Sequence, residues 1–271
     1  MAVRSALINV MAAAALKAAR GLIRDFGEVE QLQVSVKGPG DFVTQADIKA
    51  EKTLRAELSR ARPGYAFLME ESGETPGTDG RHRWIVDPLD GTTNFMHGIP
   101  QFCISIGLER EGELIAGVIY EPVRDEMFWA EKGAGAYVND RRLRVSGRRK
   151  LDEAVIATGI PTIRGNVDRD LYMRTLAAVM ATTVGVRRAG AAALDLAYVA
   201  AGRYDAFWEF GLSAWDMAAG IVLIREAGGY ISDIAGGHDM MTSGNLLAAN
   251  AHLHLPLAAL LKEAVRGPVA G

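Results

Sequence analysis

The segment Trp84-Ile85-Val86-Asp87-Pro88-Leu89-Asp90-Gly91-Thr92-Thr93-Asn94-Phe95 runs an apolar stretch directly into two acids three residues apart. A short apolar run of this kind reads as a buried strand, so Asp87 and Asp90 are expected where that strand gives out. Open α/β sheets place their ligand sites there. Pro88 fixes one φ angle and withholds an N–H, which stiffens the turn and can leave the Leu89 carbonyl free to face a cation. Gly91-Thr92-Thr93-Asn94 then reads as a turn opening a helix, whose first N–H groups suit an anion.

Other acids stand in comparable places. Glu70-Glu71 follows the apolar strand expected over 65–69. Asp47 follows Thr44, and Asp216 follows Ser213, as [Ser/Thr]-x-x-Asp, so each can be the third-turn-position acid of a capping box or a ligand. If Glu70, Asp87, Asp90 and Asp216 converge, each pair near 4 Å repels by roughly 4 kcal/mol at an effective dielectric of 20. Such a cluster calls for cations. Hard oxygen donors select Mg²⁺, with Mn²⁺ fitting the same set, over zinc, and two such ions retain waters that can become nucleophiles. A phosphate ester fits this charge balance.

The remaining pattern sets the fold class. Leu7, Met11, Leu22 and Phe26 share one helical face, with Asn9, Lys17, Arg20 and Arg24 opposite, so a packed amphipathic helix to about Phe26 is favoured over a secretory signal. No uninterrupted apolar stretch approaches the ~20 residues of a membrane span. A Gly38-Pro39-Gly40 turn and a helix over 45–60 come next. Strands are expected over 65–69, 83–86, 102–109, 114–121, 126–131 and 135–138, with Glu111-Gly112 and Asn139-Asp140 as hairpin turns. Beyond about Lys150 strands and helices alternate: strands over 154–158, 184–188, 204–208 and 230–232, helices over 170–181, 191–201 and 215–226, the last closed by Gly228-Gly229. This predicts a single α+β domain over 1–271, with subdomains of about 1–150 and 151–271, helical layers alternating with two sheets. Disorder is expected only over 266–271. A net charge of -3 gives no general attraction to nucleic acid or membrane, and the single cysteine, Cys103, excludes an internal disulfide and fits the reducing cytoplasm.

Glu70-Glu71-Ser72-Gly73, the run 84–95 and Trp215-Asp216-Met217-Ala218-Ala219-Gly220 together resemble the inositol monophosphatase family in order and spacing. The likeness also takes in 41–47, 192–209 and Glu226-Ala227-Gly228-Gly229, and 194–203 looks most like the bacterial inositol-1-monophosphatase branch. The resemblance implies a layered αβαβα sandwich and Mg²⁺-dependent, Li⁺-sensitive hydrolysis of a phosphate monoester. Carried over by position, Glu70, Asp87 and the Leu89 carbonyl would hold one metal, Asp87, Asp90 and Asp216 a second, and a third, weaker ion would lie near Glu70. Thr92, supported by Asp47, would orient the attacking water. Gly91 and Thr92 would hold the phosphate, and Asp90, Ala192, Glu209 and Asp216 would meet the substrate. Ala191 departs from the family, which usually has Ser or Thr there. Thr93-Asn94-Phe95 favours inositol 1-phosphate over fructose 1,6-bisphosphate, adenosine bisphosphate and histidinol phosphate. A homodimer fits the Ala-rich helices.

A different function class attaches to Arg141, Arg142, Arg144, Arg148, Arg149 and Lys150, to which Arg187-Arg188 can add. The plain reading is a hairpin edge protected by charge. The alternative is a patch for an anionic or protein partner, and the resemblance extends to bacterial relatives acting with the transcription and antitermination machinery. His252-Leu253-His254 reads as surface, His97 and His238 as loop residues, and Cys103 as core.

Overall fold

The computed structural model describes residues 4–28, 34–38, 41–160 and 168–266. In chain order the elements are α1 (Ala6–Phe26), β1 (Val34–Gly38), β2 (Asp41–Thr44), α2 (Gln45–Ala61), β3 (Ala66–Met69), β4 (Gly73–Thr75), β5 (His82–Asp90), α3 (Thr92–Met96), β6 (Cys103–Arg110), β7 (Glu113–Glu121), β8 (Glu126–Glu131), β9 (Gly135–Val138) and β10 (Arg141–Arg142). The second half adds β11 (Val155–Thr158), α4 (Arg169–Thr182), β12 (Gly185–Arg187), α5 (Ala192–Ala200), β13 (Ala206–Glu209), α6 (Ala214–Glu226), β14 (Tyr230–Ser232), α7 (Met240–Ser243), β15 (Leu246–Ala249) and α8 (His254–Arg266).

These form the layered αβαβα sandwich expected. The larger sheet runs β10-β9-β8-β7-β6-β5-β3-β4 and the smaller β12-β11-β13-β15-β14, while β1 and β2 make a separate hairpin. Both hairpin turns read from sequence are two-residue turns: Arg110 pairs with Glu113 and Val138 with Arg141, with Glu111, Gly112 and Asn139 at positive φ. The larger sheet is antiparallel except where β3 runs parallel to β5, which brings the carboxyl ends of both acid-bearing strands to the same end of the sheet.

Three apolar layers bind the stack. The first joins α1 and α2 to one face of the larger sheet through Met11, Leu22, Leu54, Trp84 and Phe102. The middle layer draws on both halves of the chain, packing α5 and α6 between the sheets with Ile85, Phe128, Leu196, Ile221 and Phe207. The third puts α4 and α8 behind the smaller sheet through Trp208, Leu257 and Leu261. α1 is long and apolar enough by composition to cross a membrane, but Ile8, Met11, Ala14 and Ala15 on its inner face are fully buried in this first layer.

Several elements depart from expectation. The segment 34–44 is a β-hairpin, of whose expected Gly38–Gly40 turn Pro39 and Gly40 lie outside the described residues. β4, β15 and α8 carried no clear signal, since Leu246–Ala249 is apolar without alternation and is buried on both faces. α8 continues through Arg266, and 267–271 lie outside the described residues. α6 ends as expected, with Gly228 at φ 82° and the Gly229 N–H donating to Ile224 O at 2.8 Å.

Candidate active site

β5 does not stop at Val86. Its pairing passes from Asp87↔Ser105 to Asp90↔Cys103, so β5 advances three residues while β6 advances two, and Pro88 and Leu89 form a bulge in the ladder. The cause is local, because Pro88 has no N–H for the ladder. The Leu89 N–H turns back to Asp87 Oδ1 at 2.8 Å, which holds the bulge and orients that carboxylate. Both Asp87 and Leu89 are buried.

Gly91 follows at φ 95°, and a Cβ there would meet Gln101 O at 2.9 Å and the Ala191 Cβ at 3.3 Å, so only glycine fits. This turn starts α3 and sets the Thr92 hydroxyl 3.1 Å from Asp47 Oδ1 and 3.1 Å from the Leu89 carbonyl. One proton serves one acceptor at a time, so the Leu89 carbonyl expected to be free shares Thr92 with Asp47. Asp47 itself is fully buried, and its other oxygen accepts the Thr44 N–H at 2.8 Å as the capping box of α2. Asp216 likewise accepts the Ser213 N–H at 2.7 Å at the start of α6. Capping and placement in the site are therefore compatible in both residues. Ser105 Oγ donates to Trp215 O at 3.1 Å and ties that end of α6 to β6.

The acids do converge. Burial pushes the Asp87 carboxyl well above the ordinary range, and the neighbouring Glu70, Asp90 and Asp216 add to it, with a Glu70 hydrogen bond to Asp87 among the causes. Asp90 rises to about 7, by burial first and against hydrogen bonds from the Ala193 N–H and others. Asp216 rises to about 7 by burial and by Asp90. Glu209 rises to about 8 by burial, Asp216 and Asp90, with Arg188 opposing. Glu70, Asp90, Gly91, Thr92, Ala192, Glu209 and Asp216 line one cavity of about 240 Å³, with Asp87, Leu89 and Asp47 behind its wall.

This donor set suits hard divalent cations in kind: half-buried Glu70 after β3, buried Asp87 and Asp90 on β5 and half-buried Asp216 on α6 repel one another, which cations or protons relieve. Among the described residues no three His, Cys, Asp or Glu side chains already form a closed metal cage.

Several residues in and around the site have roles that the sequence did not give. Asn94 Nδ2 donates to Gln101 O at 2.7 Å and Ala189 O at 2.8 Å, clamping the loop before α5 onto α3. Gly159 lets Glu209 in: a Cβ there would fall 1.7 Å from Glu209 Oε1. Cys103 is core, as read, and its thiol donates to Asp90 Oδ2 at 3.6 Å. Asp195, one more buried acid, also lines the cavity, as does Arg188, which belongs with these acids rather than with the basic cluster. That cluster divides in two. Arg141 and Arg142 form the exposed edge strand β10, whereas Arg148, Arg149 and Lys150 line a separate groove with Ser146, Glu153 and Asp205, where Arg148 Nε sits 3.2 Å from Asp205. His252 is exposed, while His254 is half-buried against Ser232 Oγ at 3.0 Å.

Comparison with known proteins agrees with the geometry. Residues 4–266 match the model of the inositol monophosphatase family. Mesorhizobium japonicum inositol-1-monophosphatase is 61% identical over 260 residues, covering 96% of this chain and 97% of that protein. Pseudomonas aeruginosa Nus factor SuhB is 47% identical over 247 residues, covering 90% and 91%. The crystal structure of extragenic suppressor protein suhB from Bartonella henselae superposes with a TM-score of 0.93 at 58% identity, covering 96% and 99%. The chain belongs to the inositol monophosphatase family of phosphatases.

Proposed function

We propose that the protein is a Mg²⁺-dependent hydrolase of inositol 1-phosphate, releasing inositol and inorganic phosphate. The observation that carries this is the convergence of Glu70, Asp87, Asp90 and Asp216 from three separate segments on the cavity that opens beside Gly91 and Thr92. The name borne by the Mesorhizobium relative supports inositol 1-phosphate as the ester.

Glu70, Asp87 and the Leu89 carbonyl would hold one cation and Asp87, Asp90 and Asp216 a second, with a weaker third near Glu70; Mg²⁺ suits these oxygens and Mn²⁺ can replace it. Ions held by these residues would supply a water of lowered pKa and offset charge on the phosphate and leaving oxygen. Thr92, its hydroxyl held by Asp47, orients the attacking water. The Gly91 and Thr92 N–H groups take phosphate oxygens, while Ala192 and Glu209 face the alcohol. Glu209 would accept from an alcohol hydroxyl once bound cations offset the negative charge of Asp90 and Asp216 that raises its pKa.

Phosphate release from inositol 1-phosphate, glycerol 2-phosphate, fructose 1,6-bisphosphate, adenosine bisphosphate and histidinol phosphate, each with and without Mg²⁺, tests the reading. Fructose bisphosphate as the best substrate, or Mg²⁺-independent release, would overturn it.

A second, non-catalytic reading rests on the groove of Arg148, Arg149 and Lys150, and we propose that it contacts the transcription machinery, in keeping with the name of the Pseudomonas relative. Binding should survive Asp90→Asn and weaken when Arg148 and Arg149 become Ala. Salt-insensitive binding would count against it.

A further inference from the structure

One acid in the cavity, Asp195, has no task in the cation, phosphate or alcohol binding described above. Asp195 lies on the first turn of α5 and is 1% exposed, yet its Oδ1 has no hydrogen-bond partner. Buried acceptors left unpaired destabilise a fold by about 1–3 kcal/mol, so native proteins keep few of them. No neighbouring group donates a hydrogen bond to this oxygen. Its own N–H donates to Ala191 O at 2.9 Å, which places Ala191 one turn earlier on the helix with only a methyl group to present. That methyl lies over Gly91, since a Cβ on Gly91 would touch it at 3.3 Å. Glu209 and Asp90 repel the carboxyl, adding to the effect of its burial, and Arg188 attracts it. Asp195 therefore lines the cavity beside Ala191, Ala192 and Glu209 with an oxygen still to be satisfied.

We infer that Asp195 is a specificity-determining residue whose Oδ1 is completed by a hydroxyl of the substrate's alcohol half, selecting polyhydroxylated alcohols over those with no hydroxyl to spare. This rests on the hydrolase reading above. It also gives the wall around Ala191, which lacks a side-chain hydroxyl, its own polar contact to the alcohol. A site built to hydrogen-bond a substrate hydroxyl discriminates strongly against analogues without one.

The test compares the wild type, Asp195→Leu and Asp195→Asn with Mg²⁺ present. Leucine is close in size and removes the acceptor; asparagine keeps an acceptor oxygen. Asp195→Leu should raise KM for inositol 1-phosphate about tenfold, the effect of one lost hydrogen bond. The inhibition constant of inorganic phosphate, which has no alcohol half, should stay within about twofold, and Asp195→Asn should restore KM. Removing an unsatisfied acceptor should also leave the Asp195→Leu melting temperature at or above the wild-type value, which a structural role for the carboxylate would not allow. Equal weakening of inositol 1-phosphate and inorganic phosphate, or no change in either, overturns the inference. If Asp195→Leu fails to fold, Asp195→Ala makes the same comparison without added bulk. A wild-type protein that releases no phosphate overturns the hydrolase reading and this inference with it, whereas an active wild type with an unchanged variant overturns the inference alone.

Discussion

Asp90 Oδ2 accepts the Ala193 N–H at 2.8 Å, so the acid of the bulged strand caps a helix that begins 102 residues later in the chain at Ala192. Ala191, at the helix's own N-cap position, has no side chain able to do this. Asp90 is thereby fixed at the point where the larger sheet, α5 and the cavity meet. Asp90→Asn keeps an acceptor for Ala193 but loses the charge. Its expected phenotype is a folded protein, with a melting temperature within a few degrees of wild type, whose Mg²⁺-dependent activity falls by more than the roughly 10–100-fold typical of outer-shell changes. Calorimetry and phosphate release together check this, and full activity in the mutant would refute the cation role of Asp90.

Thr92 and Asp47 should behave as a pair. Thr92→Ser retains the hydroxyl 3.1 Å from Asp47 and should keep most activity, whereas Thr92→Val, similar in volume, removes it. Loss of a group that positions the nucleophile should lower kcat by on the order of 10²-fold with KM little changed. If Thr92→Val instead raises KM and spares kcat, Thr92 only binds substrate.

The acid-bearing wall of the cavity was legible because its geometry is coded locally. A proline between two acids, a glycine before two threonines, and two [Ser/Thr]-x-x-Asp boxes each impose a backbone conformation that places its own carboxylate. Asp47 and Asp216 could be read as caps or as site residues; in the folded chain each caps its helix, while Asp216 lines the cavity and Asp47 stands behind Thr92. The alcohol-facing half was not legible in the same way. Gly159 matters only because Glu209 lies against it, 50 residues later in the chain, and Asp195 hides in an Ala-rich stretch whose composition speaks of packing. The same holds for β15 and α8, whose places depend on partners distant in sequence. Where residues 34–44 form a hairpin, the turn signal at Gly38-Pro39-Gly40 was visible but the short flanking strands were not.

Two strand glycines set the position of Asp216. A Cβ on Gly107 would meet the Ala218 Cβ at 2.7 Å, and one on Gly117 would meet Ala219 O at 2.5 Å, so α6 lies on β6 and β7 with no room for side chains between them. Gly117→Ala should destabilise the fold by about 1–3 kcal/mol through overpacking. By lifting the helix that bears Asp216 it should also weaken apparent Mg²⁺ affinity. Titration of activity against Mg²⁺ separates the two effects; loss of stability with unchanged Mg²⁺ dependence would show that α6 shifts without moving Asp216.

Removing divalent cations should make stability depend on pH in an unusual direction. Asp90 and Asp216 stand at about 7 in the folded state against 3.8 for an ordinary aspartate, so between these values the folded protein holds protons that the unfolded chain has released. Stability therefore falls as pH rises through this window, the reverse of a salt-bridged carboxylate. Between pH 5.5 and 8 ordinary carboxylates are already ionised, and His254, whose pKa burial lowers, acts with the opposite sign, so His254→Gln is the background in which the cluster is read. In EDTA the melting temperature should drop across that range, each ~1 kcal/mol lowering it by roughly 2–4 °C. Cations favour the ionised cluster, so Mg²⁺ at about 100 times its Kd should restore on the order of 2.7 kcal/mol at pH 8 and much less at pH 5.5, where protons compete for the same oxygens. A melting temperature at pH 8 that does not respond to Mg²⁺ would mean that these acids do not hold it.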